Sequence, residues 1–346
     1  MLLFADGFDG EYSATADLTK VWANNTSTSN ITYISNGGKF SGGCVQAVTS
    51  GSLFSPVPPN LSSLTSTVFN CAFWFTRSAK PGGNVFPFGM LIVSTPTGAN
   101  GTGFNTFGQM ICMNGPVVIT GGNSCDGVWH WFEETYPITT SSQTAQMWLD
   151  GVRAGQATGT PTNQNSVVYG IILSGVDATA AKFDDVICWN NDTGVTGDLT
   201  TASLPIGPQR CRGAFQATGA GTFSQWTPLS GTNASNIDET PPNDDTDYVQ
   251  ASSSGLKDTY AFGGSIVPST DTSPLMVNVK ARLKNADAGS INVQGVAYNG
   301  SATGTATTKQ ALSAYQMNHY PMFRDPAGAT WTAANINANE YGIQIP

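Results

Sequence analysis

The sequence predicts an all-β protein made of two β-sandwich domains. Apolar and β-branched residues alternate with polar ones over short runs, and these runs end at glycine, proline, asparagine or serine. Only 11% of the residues are charged and 39 are glycine, a composition that favours short strands joined by turns. A chain of 346 residues is longer than one ordinary domain, so two compact units are expected.

The first half of the chain contains seven runs with strand periodicity. Between the last runs, Asp150 and Gly151 form the dipeptide that suits a type I′ turn, because both central residues of that turn take positive φ angles. We therefore expect a tight hairpin at these two residues. The runs are residues 69–76, 104–113, 117–120, 128–136, 145–149, 167–173 and 181–189.

A stretch without alternation, residues 195–208, follows and is rich in threonine, glycine and proline, as is typical of a linker. The predicted domains are therefore residues 1–205 and 206–346. Residues 276–284 alternate so regularly that one face is expected to be buried and the other solvated. Residues 332–339 are the one predicted helix. The strand runs of the second half are residues 211–215, 246–249, 258–262, 275–283, 290–298, 314–323 and 341–345.

Charge and hydropathy exclude two classes of partner. The net charge is −9 and the sequence contains no cluster of lysine and arginine, so nucleic-acid binding is not expected. The same charge favours a neutral ligand or a protein, although a local patch can override that average. The longest apolar runs, such as residues 167–173, are far shorter than a membrane span, so no membrane insertion is expected.

The N-terminus and the cysteines also lack special signals. Residues 1–10 contain no basic region and no long apolar stretch, so a cleavable signal peptide is not expected. The six cysteines form no CxxC pair and have no histidine at metal-ligand spacing, so we interpret them as buried apolar residues. Cys112 and Cys125 are placed to bridge a hairpin, but thiols are expected in a reducing compartment.

The candidate catalytic residues do not combine into a known arrangement. Glu133 and Glu134 are adjacent in a predicted strand, so their side chains point to opposite faces and cannot form the carboxylate pair of a glycosidase. His130 and His319 are the two histidines, and we interpret His130 as a structural residue that satisfies a local hydrogen bond. We assign no catalytic residue and expect that the chain is not an enzyme.

No metal or cofactor is expected either. Two acidic groups could offer oxygens to calcium, which needs six to eight ligands. We favour a strand start with an Asx turn for the first group, and a solvated loop stiffened by Pro241 and Pro242 for the second. Gly219 and Gly221 precede no helix, so they are interpreted as turn residues. The two groups are Asp184, Asp185, Asn190, Asn191 and Asp192, and the acids of residues 238–247.

Tryptophans are candidates for stacking on sugar rings, but in sandwich strands they usually fill the core. The sequence does not choose between these roles, so ligand-binding residues are not assigned. The tryptophans concerned are Trp129, Trp131, Trp148, Trp189, Trp226 and Trp331.

Several segments resemble a known family. VWHWFEETYPITTSSQTAQMWLDGVRAG, KFDDVICWNN and LLFADGFDG are similar to strands of the concanavalin A-like, laminin-G-like jelly roll, and together they span about residues 1–195. FSQWTPLSG, NIDETPPNDDTDYV, LKDTYAF and WTAANINANEYGIQI resemble a β-module that accompanies this jelly roll in tailed-bacteriophage proteins.

This resemblance implies a virion structural protein, specifically a tail, tail-tip or fibre component that contributes to assembly and host-surface attachment. The alternative is a capsid head decoration or cement protein. A carbohydrate-binding lectin or a glycan hydrolase is a second alternative. The implied partners are other virion proteins, further copies of the chain and a host-surface glycan, and the implied location is the virion.

Overall fold

A computed structural model describes residues 2–10, 12–22, 24–25, 30–49, 51–55, 68–83, 85–92, 101–113, 117–119, 123–137, 142–159, 168–175, 177–190, 205–212, 215–270 and 274–346. The pattern of contacts divides the chain into two compact units. The first contains the described residues up to 190 together with 205–212, and the second contains residues 215–346. Residues 206–212, which the sequence analysis assigned to the second domain, therefore belong to the first unit.

The strands of the first unit come in chain order. They are β1 (Leu2–Asp6), β2 (Asn24–Asn25), β3 (Ile31–Ile34), β4 (Cys44–Ala47), β5 (Ser52–Phe54), β6 (Val68–Arg77), β7 (Val85–Ile92), β8 (Gly101–Phe104), β9 (Met110–Met113), β10 (Val117–Ile119), β11 (His130–Pro137), β12 (Gln143–Leu149), β13 (Val152–Gly159), β14 (Val168–Ser174) and β15 (Ala181–Asn190). A short helix α1 (Leu18–Val21) follows a 3-10 turn, Thr15–Asp17.

These strands form two antiparallel sheets. The eight-stranded sheet has the order β13-β12-β11-β6-β15-β4-β3, and β1 pairs with the end of β15. The seven-stranded sheet has the order β10-β9-β8-β7-β14-β5-β2. Neighbours in the sheets are mostly distant in sequence, as β6 and β15 are, so the loops at the sheet ends bring separate segments together.

The two sheets of the first unit pack face to face. Phe75 of β6 and Phe104 of β8 lie in different sheets, and their ring centroids are 5.5 Å apart. On the same inner face, Phe73 contacts Phe132 at 5.1 Å and Phe183 at 6.2 Å. Rings at these distances fill a sandwich core and exclude water from it.

The predicted hairpin is confirmed. β12 and β13 are joined by Asp150 and Gly151, whose φ angles are 52° and 78°. Both residues take the left-handed region that a type I′ turn requires, and glycine accepts it without steric cost. The run at residues 104–113 is less regular than predicted, because a turn divides it between β8 and β9.

The described residues of the second unit form ten strands around one main core. A six-stranded sheet has the order β16-β19-β25-β21-β22, with β23 also paired to β21, while β17 pairs with β18 and β20 with β24. Their bounds are β16 (Gly219–Ser224), β17 (Thr227–Pro228), β18 (Val249–Gln250), β19 (Lys257–Ala261), β20 (Val277–Leu283), β21 (Ile291–Tyr298), β22 (Thr303–Thr305), β23 (Lys309–Ala311), β24 (Gln316–Met322) and β25 (Glu340–Gln344).

The core of this unit requires close approach between β21 and β24. A Cβ atom on Gly295 would lie 2.4 Å from the Cβ of Tyr320, so a larger residue at 295 would push the strands apart. Helix α2 (Ala333–Ala338) packs Ile336 into the same core. Its N-cap Thr332 accepts a hydrogen bond from the backbone N–H of Asn335, which explains where the predicted helix begins.

The predicted all-β class is confirmed, and two details are corrected. The described part of residues 211–215 contains no strand. All residues of β20 are half-buried, so its polar face is not solvated as the alternation predicted. Among the cysteines, Cys44, Cys71, Cys125 and Cys188 are buried. No helix of the described residues is long and apolar enough to cross a membrane.

Candidate functional site

The outer face of the eight-stranded sheet is buried as well as the inner one. Trp74 of β6 and Trp131 of β11 are cross-strand partners on this face, with ring centroids 5.4 Å apart. Trp131 is fully buried and Trp74 is 7% exposed. The Trp74 Nε1–H donates to the carbonyl of Gln209 at 2.9 Å, so the segment 205–212 contacts the outer face.

Glu133 anchors this segment. Its carboxylate is fully buried and accepts the backbone N–H of Ile206 at 2.6 Å and of Gly207 at 3.0 Å, together with the Trp131 Nε1–H at 2.9 Å. Burial raises the pKa of Glu133, although these hydrogen bonds oppose the rise. Glu134 follows on the opposite face of β11 and is also buried, so the two carboxyl groups are separated by the sheet, as the sequence predicted.

Asp184 and Asp185 hold two further pieces of irregular chain against the sheet. They lie at a register shift in β15, and Asp185 has a φ angle of 49°. Asp184 accepts the N–H of Lys39 at 2.7 Å and that of Asp185 at 2.8 Å, while Asp185 accepts the N–H of Cys211 at 2.8 Å. Both are nearly fully buried, and Asp185 Oδ2 has no hydrogen-bond partner among the described residues.

Burial shifts both groups of this carboxyl pair towards the neutral form. Burial raises the pKa of Asp184 to about 7, and nearby Asp9 contributes to the rise. Burial raises the pKa of Asp185 to about 9, with a further contribution from Asp184. In the part of the chain that the structure describes, no group of three or more histidine, cysteine, aspartate or glutamate residues is arranged to hold a metal ion. The pair therefore acts here as an acceptor of backbone N–H groups.

His130 connects the start of β11 to two loops. Its Nδ1 lies 2.7 Å from Asp150 Oδ2, and its Nε2 lies 3.1 Å from Asp126 Oδ1. Asp150 also accepts the N–H of Trp131 at 2.9 Å. Partial burial acts to raise the pKa of Asp126. Hydrogen bonds from Val128 and His130 outweigh this effect and hold the pKa below its usual value. With both ring nitrogens bound to carboxylates, this histidine ties the two loops to the strand.

Three exposed apolar side chains lie on or next to these loops, two of them in loops and one, Val152, at the first position of β13. Phe107 is 68% exposed, Val128 57% and Val152 70%. The loop of Phe107 is tied to that of Val128, because Ser124 N–H donates to the carbonyl of Gly108 at 2.9 Å. Asp150, which binds His130, precedes Val152 by two residues. We call Phe107, Val128 and Val152 the loop surface. Isolated apolar residues form no pattern in the sequence, so this surface was not predicted.

The acidic residues 238–247 are not the solvated loop that was predicted. Asp244 pairs with the Arg282 guanidinium at 2.5 Å, and Asp245 pairs with Lys284 Nζ at 2.8 Å. Arg282 lies on β20 and Lys284 just after it, so the loop covers the polar side of this strand. This contact explains why both faces of β20 are half-buried.

The remaining candidate residues are mainly buried. His319 is 2% exposed, its Nδ1 lies 2.9 Å from Asn278 Nδ2, and burial lowers its pKa well below the usual value. Trp129 is half-buried. Asn191 and Asp192 lie outside the described residues, as does the side chain of Asn190. Trp226 and Trp331 lie in the core of the second unit, whereas Trp131, Trp148 and Trp189 are buried on the outer face of the eight-stranded sheet.

Comparisons with known proteins find similarity in structure alone. No family model and no curated protein matches the chain. Among solved structures, Trypanosoma rangeli sialidase in complex with sialic acid is similar at 13% identity and a TM-score of 0.33, covering 42% of this chain and 25% of that one. Domain 4 of a GH43 extracellular arabinanase from Geobacillus stearothermophilus, in complex with arabinotriose, is similar at 13% identity and a TM-score of 0.32, covering 46% and 75%. Another sialidase reaches a TM-score of 0.39 at 13% identity, covering 55% and 18%.

These neighbours correct one expectation. The prediction that the chain is not an enzyme is contradicted, because the similar structures are sialidases and a domain of an arabinanase. The chain spans about a quarter of the length of the Trypanosoma rangeli sialidases. At identities of 11–14% and TM-scores of 0.31–0.39, the likeness assigns no substrate and no residue role to this chain.

Proposed function

We propose that this protein is a structural component of a bacteriophage virion, in the tail, tail tip or fibre, and that it contributes to assembly and host-surface attachment. The observation that supports this role is the loop surface. Phe107 and Val128 are exposed apolar side chains on loops that are hydrogen-bonded to each other, and the exposed Val152 begins β13 directly after the turn that is hydrogen-bonded to β11. Exposed apolar side chains grouped on a supported set of loops are typical of contact sites.

Three side chains of this size form a small contact, so one copy binds weakly. Attachment then depends on several copies acting together, because tethering raises the effective concentration for the second and later contacts. We expect an isolated monomer to bind its target weakly and a multivalent display of the same chain to bind it much more tightly.

The test uses the full chain displayed on multivalent beads and measures binding to host cells. The triple variant Phe107→Ser, Val128→Ser, Val152→Ser is expected to lose about tenfold or more in apparent affinity. The matched control is Leu229→Ser with Leu312→Ser, which removes apolar side chains that are 48% and 36% exposed in the second unit. Equal binding by the triple variant and the wild type would contradict the attachment role of the loop surface.

The alternative is a capsid decoration protein. The same bead-bound variants, tested on purified capsids instead of cells, distinguish the two roles. Binding to capsids that the triple variant loses, without binding to cells, supports decoration. Imaging of the labelled chain in the particle checks the result independently, because a fold does not determine location.

A further inference from the structure

We propose that Lys39 and Arg210, which lie over the rings of Trp74 and Phe40, form a binding site for a saccharide that carries a carboxylate, together with Lys182 on the same face of the sheet. We call these five residues the cationic patch. It lies on the outer face of the eight-stranded sheet and shares no residue with the loop surface. The proposal goes beyond the attachment role, and the two can fail separately because different variants test them.

The cations are placed directly against the aromatic rings. Lys39 Nζ lies 4.6 Å from the centroid of the Trp74 ring, and the Arg210 guanidinium carbon lies 4.9 Å from that of Phe40. The two rings meet edge to face with centroids 5.8 Å apart. Lys182 is the cross-strand partner of Thr76 and lies on the same face of β15 as Asp184, the partner of Trp74. Three segments that are distant in sequence therefore bring positive charge to one place.

The segments that carry Lys39 and Arg210 are fixed in position. Asp184 accepts the Lys39 N–H, and Asp9 accepts the N–H of Gly43 at 2.6 Å, so both ends of the turn that contains Lys39 and Phe40 are held. Arg210 lies between Gln209, whose carbonyl binds Trp74, and Cys211, whose N–H binds Asp185. A site held in this way loses little conformational entropy on binding.

The local charge is positive although the protein carries a net charge of −9. Among the described residues, the ion pair found for these cations joins Arg210 to Asp9 at 3.7 Å, which is a long contact. Asp184 and Asp185 lie beneath the patch, and burial raises the pKa of Asp185 to about 9 and that of Asp184 to about 7, so at neutral pH Asp185 is protonated and Asp184 carries only part of a negative charge. The patch keeps a net positive charge, because Asp9 neutralises at most one of the three cations and Asp184 offsets only part of another.

The chemistry of the patch favours an acidic sugar over other anions. Phe40 is 39% exposed and Arg210 is 34% exposed, so an apolar ring and a guanidinium meet solvent side by side. Guanidinium and ammonium groups bind a carboxylate through charge-assisted hydrogen bonds, and an aromatic ring packs against the C–H face of a sugar. Three cations are too few for the many phosphate contacts that give nucleic acids their affinity.

The test compares an oligogalacturonate with the same oligosaccharide after methyl esterification, which removes the charge and keeps the sugar rings. Calorimetry on the full chain should show at least about tenfold tighter binding of the acid form, weakening as salt is raised. Arg210→Gln and Lys39→Gln should each lose about tenfold in affinity for the acid form, and Phe40→Ala should weaken both forms. A polyglutamate peptide should bind more weakly than oligogalacturonate, because it carries carboxylates but lacks the sugar ring that packs against Phe40.

The matched control is Arg153→Gln, which removes one exposed positive charge from β13 and leaves the patch intact. It should bind like the wild type. Circular dichroism and the melting temperature verify that each variant is folded, and Arg210→Gln keeps the anchors at residues 209 and 211. The proposal is overturned by equal affinity for acid and ester, by absence of binding, by polyglutamate binding as tightly as oligogalacturonate, or by an equal loss in Arg153→Gln and Arg210→Gln.

Discussion

The inner face of the eight-stranded sheet is packed with phenylalanine rings, whereas the outer face carries tryptophans and three buried carboxyl groups. The inner face meets a second sheet, whose backbone groups are already paired within their own ladder. The outer face meets chain without regular secondary structure, at residues 38–43 and 205–212. The two sides therefore make different demands on the side chains that cover them.

Irregular chain needs hydrogen-bond acceptors when it is buried. A buried backbone N–H without a partner costs free energy comparable to a lost hydrogen bond. Glu133 accepts two such groups from residues 206 and 207, and Asp184 and Asp185 accept those of Lys39 and Cys211. The buried acids of the outer face are thus explained by the backbone that they hold. The inner face, which meets a sheet whose backbone is already paired, is filled mainly by rings and has a buried carboxyl group on β11 at Glu134.

The largest effect is expected from an inner-face ring. Phe132→Ala should lower the free energy of unfolding of the first unit by about 3–5 kcal/mol, because it leaves a cavity beside Phe73. Urea denaturation measures this loss of free energy of unfolding, and hydrogen exchange of the β6 amides measures it separately within the first unit. A loss smaller than that of the outer-face variant Glu133→Gln would reverse the proposed order of the two faces.

Glu133→Gln is expected to cost about 1–3 kcal/mol, because an amide keeps one acceptor oxygen where three donors converge on a buried carboxylate. The loss should be local at first. Hydrogen exchange should quicken at the amides of Ile206 and Gly207, and the Trp131 indole N–H resonance should shift.

The neighbouring substitution Glu134→Gln is the matched control, since it changes the same group on the inner face. It should leave the exchange rates of Ile206 and Gly207 unchanged, whatever it does to global stability. If both substitutions release the segment 205–212 equally, Glu133 is not its specific anchor.

These anchors show where sequence reasoning ends. The inner face follows from alternation, because Phe73, Phe75 and Phe132 recur with the period of a strand. The opposite orientation of Glu133 and Glu134 follows from the same period. The segment that covers the outer face cannot be predicted in this way, because residues 195–208 have the composition of a linker. A pattern of residues does not show which loop lies over which strand.

The cationic patch is a second case of the same limit. Lys39 is more than a hundred residues away from Lys182 and Arg210, and the three residues form no cluster in the sequence. The pairing of β6 with β15 and the course of residues 205–212 bring them together. Local charge runs are visible in a sequence, whereas a patch assembled from three segments requires knowledge of the sheet order.

The last prediction concerns the pH dependence of the outer face. Burial raises the pKa of Asp184 to about 7 and that of Asp185 to about 9, whereas both acids ionise near pH 4 in the unfolded chain. Between about pH 4 and pH 9 the folded state therefore holds more protons than the unfolded state. The contribution of these groups is fully present below pH 4 and is lost as the pH rises through the folded values, so stability should fall towards pH 9.

Asp185→Asn should flatten this decline, because an amide cannot ionise and asparagine tolerates the positive φ angle at this position. The difference between the variant and the wild type should be smallest near pH 5 and should grow towards pH 9 by an amount on the order of 1–3 kcal/mol, for removal of a buried ionisation. Urea denaturation at pH 5, 7 and 9 measures the slope, and exchange at the Cys211 amide reports on the anchor itself.

Glu340→Gln is the control. Partial burial acts to raise the pKa of Glu340, but hydrogen bonds from Thr259 and Thr222 outweigh this effect and lower it. This substitution should therefore leave the slope between pH 5 and pH 9 unchanged. An Asp185→Asn variant that declines as steeply as the wild type would show that other groups cause the loss, and that the outer face does not depend on a protonated acid.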